Sequence, residues 1–508
     1  MDYGWLSLIP PILAIAIAFA TRKIILSLSI GVLSGTLIVQ NGSVFSALED
    51  ALLIFWKNSE LENFSSWEKF QGSWHLFILL FCFVLGAIMH LVDQAGGAKA
   101  YGEWALKRIT TRAQASLSTM FLGMIIFFDD YFNCLTVGAV MRSVTDKFKI
   151  SRAKLAYIID STTAPVCILA PISSWVIYVV SQFDQAGLGE NAFSIFLYTI
   201  PFNFYAWLSL LMVFLVCAFD INIGAMKDHE ERVAEVAQDG SIQKSHSIYD
   251  LLLPLSVLIT SIICGMLYTG SSKLFGGTNG IIKSLQSMHA GKAMFWGGFI
   301  ALGFSIFYFL GRRVFSWREI VAIIIESMRS MFPILFTLVL SWSIGTIISQ
   351  KLYTGKYLAQ FLNSDGLKYM LPVLIFVLGC VTAFATGSSW GTFAIMIPIV
   401  IPITREIDSA FLIPTLSASL AGAIYGDHCS PISDTTILSS IGAGCPHMDH
   451  VVTQAPYSTL VAIICCVSFL ISGCTISWGV AISATISMTA GIVLILGGVL
   501  WYKMSLRN

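Results

Sequence analysis

Long apolar stretches alternate with short polar segments over almost the whole chain. A transmembrane helix needs about 20 consecutive, predominantly apolar residues. Eleven stretches satisfy this requirement and are predicted to cross a membrane: 5–21, 24–41, 74–94, 155–182, 194–220, 249–270, 292–310, 331–349, 409–440, 453–473 and 478–502. Two further apolar stretches, 114–141 and 370–403, contain polar clusters at their middles. We interpret these two as re-entrant hairpins, which enter and leave on the same side, within an all-α polytopic membrane protein.

The composition agrees with this pattern. Of the 508 residues, 56% are hydrophobic and 11% are charged, whereas roughly a quarter of the residues in a soluble protein are charged. The 29 basic residues balance the 29 acidic residues, so the net charge indicates no nucleic-acid partner. The 11 cysteines form no CxxC pair, and neither a disulfide framework nor a zinc site is expected. No cofactor and no enzymatic activity are predicted.

The basic residues predict the orientation, because cytoplasmic loops carry an excess of Lys and Arg. With both interrupted stretches treated as hairpins, 19 basic residues fall on one side of the membrane and 8 on the other. If 114–141 crossed the membrane, the basic residues of 142–154 would lie opposite those of 95–113 and the asymmetry would fade. We therefore expect 11 spans, with the N-terminus outside and the C-terminus in the cytoplasm.

The chain also repeats itself weakly. An offset of 259 residues relates three features: Gly86 to Gly345, Asp129-Asp130 to Ser388-Ser389, and Asn133 to Thr392. Each half would contain five spans and one hairpin, and an odd number of spans inverts the second copy in the membrane. Inverted repeats with broken helices at the midplane are a recurrent design of secondary transporters.

The repeat divides the chain into four predicted parts: a first inverted repeat at 1–220, a cytoplasmic linker at 221–248, a second inverted repeat at 249–473, and an extra transmembrane helix at 474–508. Each repeat contains a hairpin and then a broken helix: 114–141 and 155–182 in the first, 370–403 and 409–440 in the second. Prolines interrupt the broken helices, and a proline removes a backbone donor and frees a carbonyl. Amphipathic segments begin at Ser43 and at Trp317.

Five acids lie in apolar surroundings: Asp129, Asp130, Asp160, Asp427 and Asp434. An unpaired carboxylate is costly there by several kcal/mol, and no Lys or Arg is expected in the membrane interior to pair with them. One or two of these acids can simply cap helices. Five together predict that the group binds a proton or a cation.

Hydroxyl, amide and imidazole groups accompany the acids at the predicted turns and breaks. The candidate ion- or substrate-binding residues are Asp129, Asp130, Asn133, Asp160, Thr162, Thr163, Thr386, Ser388, Ser389, Thr392, Asp427, His428, Ser430, Ser433 and Asp434. Oxygen ligands of this kind suit an alkali cation better than a soft metal. A sodium site is therefore predicted at Asp130, Asn133, Asp160, Ser388, Thr392 and Asp427.

Two groups of these residues keep an alternative interpretation. Ser and Thr in membrane helices often only bond their own backbone, which stays open for Thr435 and Thr436 beside the candidates. His428 can titrate near neutral pH, but a lone histidine beside a helix break can equally be a hydrogen-bonded packing residue.

Four motifs, in this order, resemble the NhaC family of sodium/proton antiporters, a member of the ion transporter superfamily: FFDDYFNCLTVG, IIDSTTAPVCILAPISSW, TGSSWGTF with IMIP, and GDHCSPISDTTILSS. The resemblance covers most of 74–473. It implies a scaffold and a transport unit of two opposed hairpins and two broken helices, which often works as a homodimer with elevator-like movement. It also implies a multi-pass protein of a bacterial plasma or inner membrane.

Two function classes remain open. In the first, Na⁺ and H⁺ compete for the same carboxylates, and a Na⁺/H⁺ antiporter expels sodium with the proton gradient. In the second, Na⁺ assists transport of a small organic solute, an amino acid or a carboxylate, which members of the resembling family exchange or take up. The acids favour the first class. The polar groups at the hairpin turns favour the second, because helix N-termini there can hold a carboxylate.

Overall fold

The computed structural model describes residues 3–21, 23–96, 108–233, 247, 249–286, 288–354, 357, 367–431 and 433–505. The chain is almost entirely helical in these residues. Among them, nine helices are long and apolar enough to cross a membrane, and the number rises to 11 if each of two bent pairs is one span. The prediction of an all-α polytopic membrane protein is confirmed.

The helices fall into two sets, before and after the predicted linker. The first set is α1 (Ile9–Thr21), α2 (Ile24–Val39), α3 (Val44–Ser59), α4 (Trp67–Gly72), α5 (His75–Gln94), α6 (Arg112–Ile125), α7 (Asp130–Lys147), α8 (Arg152–Leu169), α9 (Ser174–Phe183), α10 (Ala192–Thr199), α11 (Phe204–Phe219) and α12 (Ala225–Val233). The second set is α13 (Tyr249–Thr269), α14 (Ile281–Gln286), α15 (Ala290–Gly311), α16 (Trp317–Thr346), α17 (Leu367–Thr386), α18 (Ser389–Ile407), α19 (Leu412–Cys429), α20 (Asp434–Ala443), α21 (His447–Thr475) and α22 (Val480–Ser505).

The first predicted hairpin consists of α6 and α7. Its outer ends lie together, because the Arg112 guanidinium donates a hydrogen bond of 3.1 Å to the carbonyl of Lys149, just beyond α7. Its turn lies at the gap between α8 and α9, where the Ser174 N–H donates to the Phe128 carbonyl at 2.9 Å. The α8–α9 pair is bent by 48° at this gap and continues past the turn. The hairpin therefore turns back inside the bundle, in agreement with the re-entrant interpretation.

The second predicted hairpin, α17 and α18, is arranged in the same way. Its outer end approaches the residues that follow α18, since the rings of Tyr369 and Phe411 have centroids 6.0 Å apart. Its turn lies at the gap between α19 and α20, where the Asp434 N–H donates to the Gly387 carbonyl at 3.4 Å. Both hairpin helices are long enough to cross a membrane, but α20 extends beyond the turn, so the turn lies inside the bundle.

The two broken helices have the same layout. Helices α8 and α19 contain 18 residues each, and α9 and α20 contain 10 residues each. Every bound of the first pair lies 260 residues from the corresponding bound of the second. This offset agrees with the predicted repeat within one residue. The inverted orientation of the second copy and the domain boundaries stay predictions.

The prediction of two full spans at 5–21 and 24–41 is wrong. Helices α1 and α2 contain 13 and 16 residues, which at about 1.5 Å per residue is shorter than the ~30 Å hydrocarbon layer. They pack against each other, with Ser27 hydrogen-bonded to the Ala14 carbonyl, and form a further hairpin that we call the N-terminal hairpin. The total of up to 11 spans agrees with the sequence, but α17 and α18 belong to that set and α1 and α2 do not.

The turn of the N-terminal hairpin reaches only the middle of α16. Its outer part lies near the C-terminal end of α16, where Gly35 packs against Ile347. Lys23, at the turn, lines a cavity together with Thr337, well inside α16. The predicted cytoplasmic position of Lys23 is therefore corrected, and Arg22 lies outside the described residues. Hydropathy does not distinguish such a hairpin from two crossing helices, because both bury apolar side chains.

Helix α16 joins two elements that the sequence predicted separately. The amphipathic segment at Trp317 and the span 331–349 form one continuous helix of 30 residues, which begins at a capping box of Ser316 and Glu319. The other predicted amphipathic segment, from Ser43, is α3.

The predicted linker 221–248 begins with α12. Glu230 of this helix accepts a hydrogen bond of 2.7 Å from the N–H of Ser151, directly before α8. The start of the linker is therefore packed against the first half. Residues 234–246 and 248 lie outside the described residues. The predicted C-terminal helix is α22.

Candidate ion-binding site

The turns of both hairpins and the gaps of both broken helices meet in the interior of the bundle. The Tyr131 hydroxyl, at the first turn, donates a hydrogen bond of 2.5 Å to Asp434 Oδ2, at the second gap. Asp130 and Asp427 are buried and interact electrostatically with Asp434, and Asp160 interacts with Asp427. We call these five residues, with the hydroxyl groups around them, the central site. Its acids come from both halves of the chain.

Asp427 has three hydroxyl partners. Its carboxylate accepts hydrogen bonds from Ser433 at 2.6 Å, Ser389 at 2.9 Å and Thr435 at 3.3 Å. Ser389 begins α18 at the hairpin turn, whereas the other two hydroxyls lie at the gap before α20. A buried carboxylate surrounded by hydroxyl oxygens is a ligand set that hard cations prefer.

Asp434 is the first residue of α20. Its Oδ1 accepts a hydrogen bond of 2.9 Å from the N–H of Thr435, while Oδ2 accepts the one from Tyr131. The positive end of the helix dipole stabilises a carboxylate at this position. The sequence did not single out Tyr131, since an aromatic residue in an aromatic-rich run is typical of a packing position.

Asp160 has a basic partner, contrary to the expectation that the buried acids would have none. Its Oδ2 lies 3.3 Å from His450 Nε2 and accepts hydrogen bonds from Gln454 at 2.6 Å and Thr436 at 2.9 Å. Its Oδ1 accepts one from Ser439 at 3.2 Å. His450 and Gln454 lie one turn apart on α21, and two polar residues at this spacing in an apolar helix were the signal that the sequence contained. With four partners, Asp160 is the acid least in need of a bound cation.

The two acids of the first turn differ from each other. Asp129 caps α7, because its carboxylate accepts a hydrogen bond of 2.9 Å from the N–H of Phe132. Asp130 Oδ2 is buried and accepts no hydrogen bond of ordinary geometry from the described residues, although the indole of Trp175 interacts with this side chain. A buried oxygen without a partner is costly, so Asp130 is the acid most in need of a proton or a cation.

Asn133 fastens the first turn. Its Nδ2 donates to the carbonyls of Gly123 at 2.7 Å and Ile126 at 2.9 Å, and its Oδ1 accepts a hydrogen bond of 3.0 Å from Thr163. Thr162 also packs against Gly123, and its buried hydroxyl has no partner among the described residues. These contacts hold the turn on α8 and leave Asn133 little capacity to bind an ion.

The hydroxyls of the second turn bond mostly to the turn itself. Ser388 caps α18 by accepting a hydrogen bond from the N–H of Gly391, and the Thr392 hydroxyl donates to the Ser388 carbonyl at 3.0 Å. Thr386 Oγ1 lies 3.3 Å from Thr392 Oγ1. Ser430, at the gap, donates to the carbonyl of Phe384 at 2.8 Å. The turn and the gap are thus joined directly.

His428 is a hydrogen-bonded packing residue. Its Nδ1 lies 3.0 Å from the hydroxyl of Tyr205, and its carbonyl accepts a hydrogen bond of 2.7 Å from Gln454. The imidazole points away from Asp427, its neighbour in the chain, and toward α11.

The six predicted sodium ligands form separate groups. Asp427 lies with the hydroxyls at the second gap, Asp160 faces α21, and Asn133 belongs to the first turn. Ser388 and Thr392 bond to each other within the second turn. No group of three or more His, Cys, Asp or Glu that could hold a metal ion occurs within the described residues.

A cavity of about 690 Å³ opens beside the central site. Its lining residues are Lys23, Ile25, Leu26, Ser29, Tyr131, Tyr178, Pro333, Thr337, Leu338, Thr386, Gly387, Ser388, Trp390 and Asp434. The cavity separates the N-terminal hairpin and α16 from the two hairpin turns and the second gap. Such a cavity can hold a small organic molecule.

Comparison with known proteins decides the family. The profile of the Na⁺/H⁺ antiporter family matches residues 166–474. The chain belongs to this family. The match includes the second hairpin and the gap with Asp427 and Asp434, whereas Asp130 and Asp160 precede it.

Two relatives from Haemophilus influenzae are similar to this family member. An uncharacterized protein is 38% identical over 496 residues, which cover 94% of this chain and 93% of the relative. An uncharacterized Na⁺/H⁺ antiporter is 29% identical over 150 residues, or 28% of this chain and 30% of the relative.

A solved structure shares the fold. The YdaH transporter of Alcanivorax borkumensis is similar with a TM-score of 0.55 and 14% sequence identity, over 84% of this chain and 89% of that chain. With the family assignment, the fold and the apolar helices, the protein is a secondary transporter that spans the membrane several times.

Proposed function

We propose that the protein is a Na⁺/H⁺ antiporter of the NhaC type. The observation that carries this proposal is the central site, where Asp130, Asp427 and Asp434 are buried together. No Lys or Arg within the described residues forms an ion pair with any of the three. Each acid is therefore stabilised in the interior by a proton or by a cation, and the two can replace each other.

Asp427 is the proposed sodium ligand. The hydroxyls of Ser389, Ser433 and Thr435 donate to its carboxylate in this structure. A hydroxyl group also has acceptor lone pairs, so that rotation about the C–O bond lets the same oxygens bind Na⁺ beside Asp427. Asp130, whose Oδ2 lacks a partner, is the proposed proton carrier. Loss of its proton then leaves a negative charge that attracts sodium into the site.

The repeated layout supports alternating access around this site. The two hairpins and the two broken helices occur at matching offsets of 259 and 260 residues. We propose that they form inverted repeats and move as one unit against the other helices, as in transporters that contain broken helices at the midplane. Association into a homodimer and a bacterial inner-membrane location stay expectations from the resemblance.

Sodium binding at different pH values tests the proposal. One carboxylate site cannot hold a proton and Na⁺ together, so apparent sodium affinity should rise with pH, at most about tenfold per pH unit for one exchanged proton. Calorimetry on the purified protein between about pH 6 and 9, with Asp408→Asn at an exposed position as control, measures this dependence. Proteoliposomes with an imposed proton gradient should accumulate radioactive sodium against it. A sodium affinity independent of pH, with no proton-driven flux, would rule out antiport.

The cavity favours a second candidate, sodium-coupled transport of a small organic solute. Its volume of about 690 Å³ greatly exceeds the ~30 Å³ that one water molecule occupies in the liquid, and a sodium ion does not need such a space. Here, sodium uptake into proteoliposomes should depend on an added amino acid or carboxylic acid. Uptake that no solute from such a panel accelerates would speak against this candidate.

A further inference from the structure

The cavity beside the central site has walls of opposite charge. Lys23, at the turn of the N-terminal hairpin, lies on one wall, and Asp434, at the start of α20, lies on the other. No other Lys, Arg, Asp or Glu is among its lining residues within the described part of the chain. The remaining lining is aromatic, aliphatic and hydroxyl-bearing, with Trp390 and Tyr178 as its largest side chains.

Lys23 is placed where a positive charge needs a partner. The N-terminal hairpin turns back inside the bundle, so that the ammonium group lies far from either end of α16. Lys23 forms no ion pair with any described residue. Charged side chains at this depth are costly and mark the pathways of substrates and ions.

The backbone beside Lys23 also favours an anion. Lys23 precedes the first residue of α2 and makes no side-chain cap for that helix, so the first N–H groups of α2 lack partners within the helix. The positive end of this helix dipole adds to the ammonium charge. On the opposite wall, the Thr386 and Ser388 hydroxyls supply further hydrogen-bonding groups.

Asp434 provides the complementary charge. Its two oxygens accept hydrogen bonds from Tyr131 and from the N–H of Thr435, and each carboxylate oxygen retains capacity for another donor. An ammonium group in the cavity can therefore bind Asp434 while a carboxylate of the same molecule binds Lys23. The apolar and aromatic walls are suited to an uncharged side chain.

We propose that this cavity binds a neutral α-amino acid, with its carboxylate at Lys23 and its ammonium group at Asp434. This inference deepens the second candidate function and rests on it. It assigns the N-terminal hairpin a role in substrate specificity that the sequence did not indicate. Lys23 is the residue that selects for a carboxylate.

Ligands that differ by one charged group test the assignment without altering the protein. Calorimetry on the full chain in sodium buffer compares L-phenylalanine, 3-phenylpropionate, which lacks the ammonium group, and phenethylamine, which lacks the carboxylate. The same set is built on L-leucine, 4-methylpentanoate and isoamylamine. At least one amino acid should bind, and removal of either charged group should weaken it by about tenfold or more, as expected for a charge-assisted hydrogen bond.

Variants identify the residue. Lys23→Gln should weaken the amino acid by about tenfold or more but leave the affinity of the corresponding amine nearly unchanged, whereas Lys23→Arg should retain most of the amino-acid affinity. Lys273→Gln, a change of an exposed lysine outside the cavity, should have no effect. Thermal melting confirms that each variant is folded.

The outcomes separate the two levels of the proposal. Binding of no ligand to the native protein would reject both the solute-transport candidate and this inference. Amino-acid binding that Lys23→Gln does not weaken, or that equals the binding of the amine, would reject only the role of Lys23. Selective loss of the carboxylate-bearing ligands in Lys23→Gln would support it.

Discussion

The turns of the two hairpins carry different groups at corresponding positions. Asp129 and Ser388, 259 residues apart, both cap the helix that follows them. The next residues diverge, because Asp130 has a buried carboxylate oxygen without a described partner, whereas the Ser389 hydroxyl donates to Asp427. The capping role is thus common to both halves, and the charge is not.

The gaps of the broken helices show the opposite distribution. With an offset of 260 residues, Asp427 corresponds to Cys167 and Asp434 corresponds to Ser174. The first half therefore contributes its acid from the hairpin turn, while the second half contributes its acids from the broken helix. The two halves have the same backbone layout but supply complementary parts of one site. A cation bound there would be held by both halves together.

Asp427→Asn should have the largest effect on this comparison. The change removes the charge at nearly constant volume and leaves the hydroxyls of Ser389, Ser433 and Thr435 in place. We expect apparent sodium affinity to fall at least about a hundredfold, or roughly 2.7 kcal/mol. Sodium calorimetry and sodium flux in proteoliposomes measure the loss.

The corresponding position in the first half provides the control. Cys167 is buried and behaves as a small apolar residue, so Cys167→Ala should change sodium affinity by no more than about twofold. Equal losses in the two variants would show that both halves bind the ion alike, and the asymmetry described here would be wrong.

Much of the arrangement could be predicted from the sequence, because polar clusters and prolines interrupt long apolar stretches. Both hairpins and both broken helices follow from that signal. The N-terminal hairpin could not be predicted, since 24–41 is as apolar as a crossing helix and only packing against α16 shows where it turns. Lys23 was consequently assigned to a cytoplasmic loop.

The partners of the acids were also only partly predictable. Asp160 meets His450 and Gln454 at separations of 290 and 294 residues along the chain. Contacts of that kind depend on the rotation and depth of two helices, which hydropathy does not encode. Conversely, Asn133 was predicted as an ion ligand from its side-chain type, but the backbone carbonyls around the turn occupy its amide.

Asn133→Ala should have the next largest effect. It leaves the buried carbonyls of Gly123 and Ile126 without their donor, and we expect a loss of about 2–3 kcal/mol in stability. At the corresponding position, Thr392→Val removes one hydrogen bond to the Ser388 carbonyl and should cost about 1 kcal/mol. Thermal melting in detergent compares the two. A larger effect of the threonine change would contradict the bracing role of Asn133.

Gly138→Ala tests the contact between the halves and should have a smaller effect. A methyl group at Gly138 would lie 2.3 Å from the carbonyl carbon of Gly442, so that α7 and α20 would have to separate. Overpacking of this kind costs about 1–2 kcal/mol. Gly303→Ala in α15, where no atom lies within 4 Å of the added carbon, is the matched control and should stabilise the helix by up to about 1 kcal/mol. Melting shifts of the same sign would show that the contact is loose.

Asp129→Ser should have the smallest effect, because it converts the first turn to the capping residue that the second turn already has. A serine accepts the same hydrogen bond from the N–H of Phe132, so stability should change by no more than about 0.5 kcal/mol. Asp129→Ala removes the cap and should cost about 1 kcal/mol. Sodium affinity of Asp129→Ser should stay close to that of the native protein, since the central site retains Asp130, Asp427 and Asp434. A loss of sodium binding as large as that of Asp427→Asn, with an unchanged melting temperature, would mean that Asp129 is an ion ligand and not only a cap.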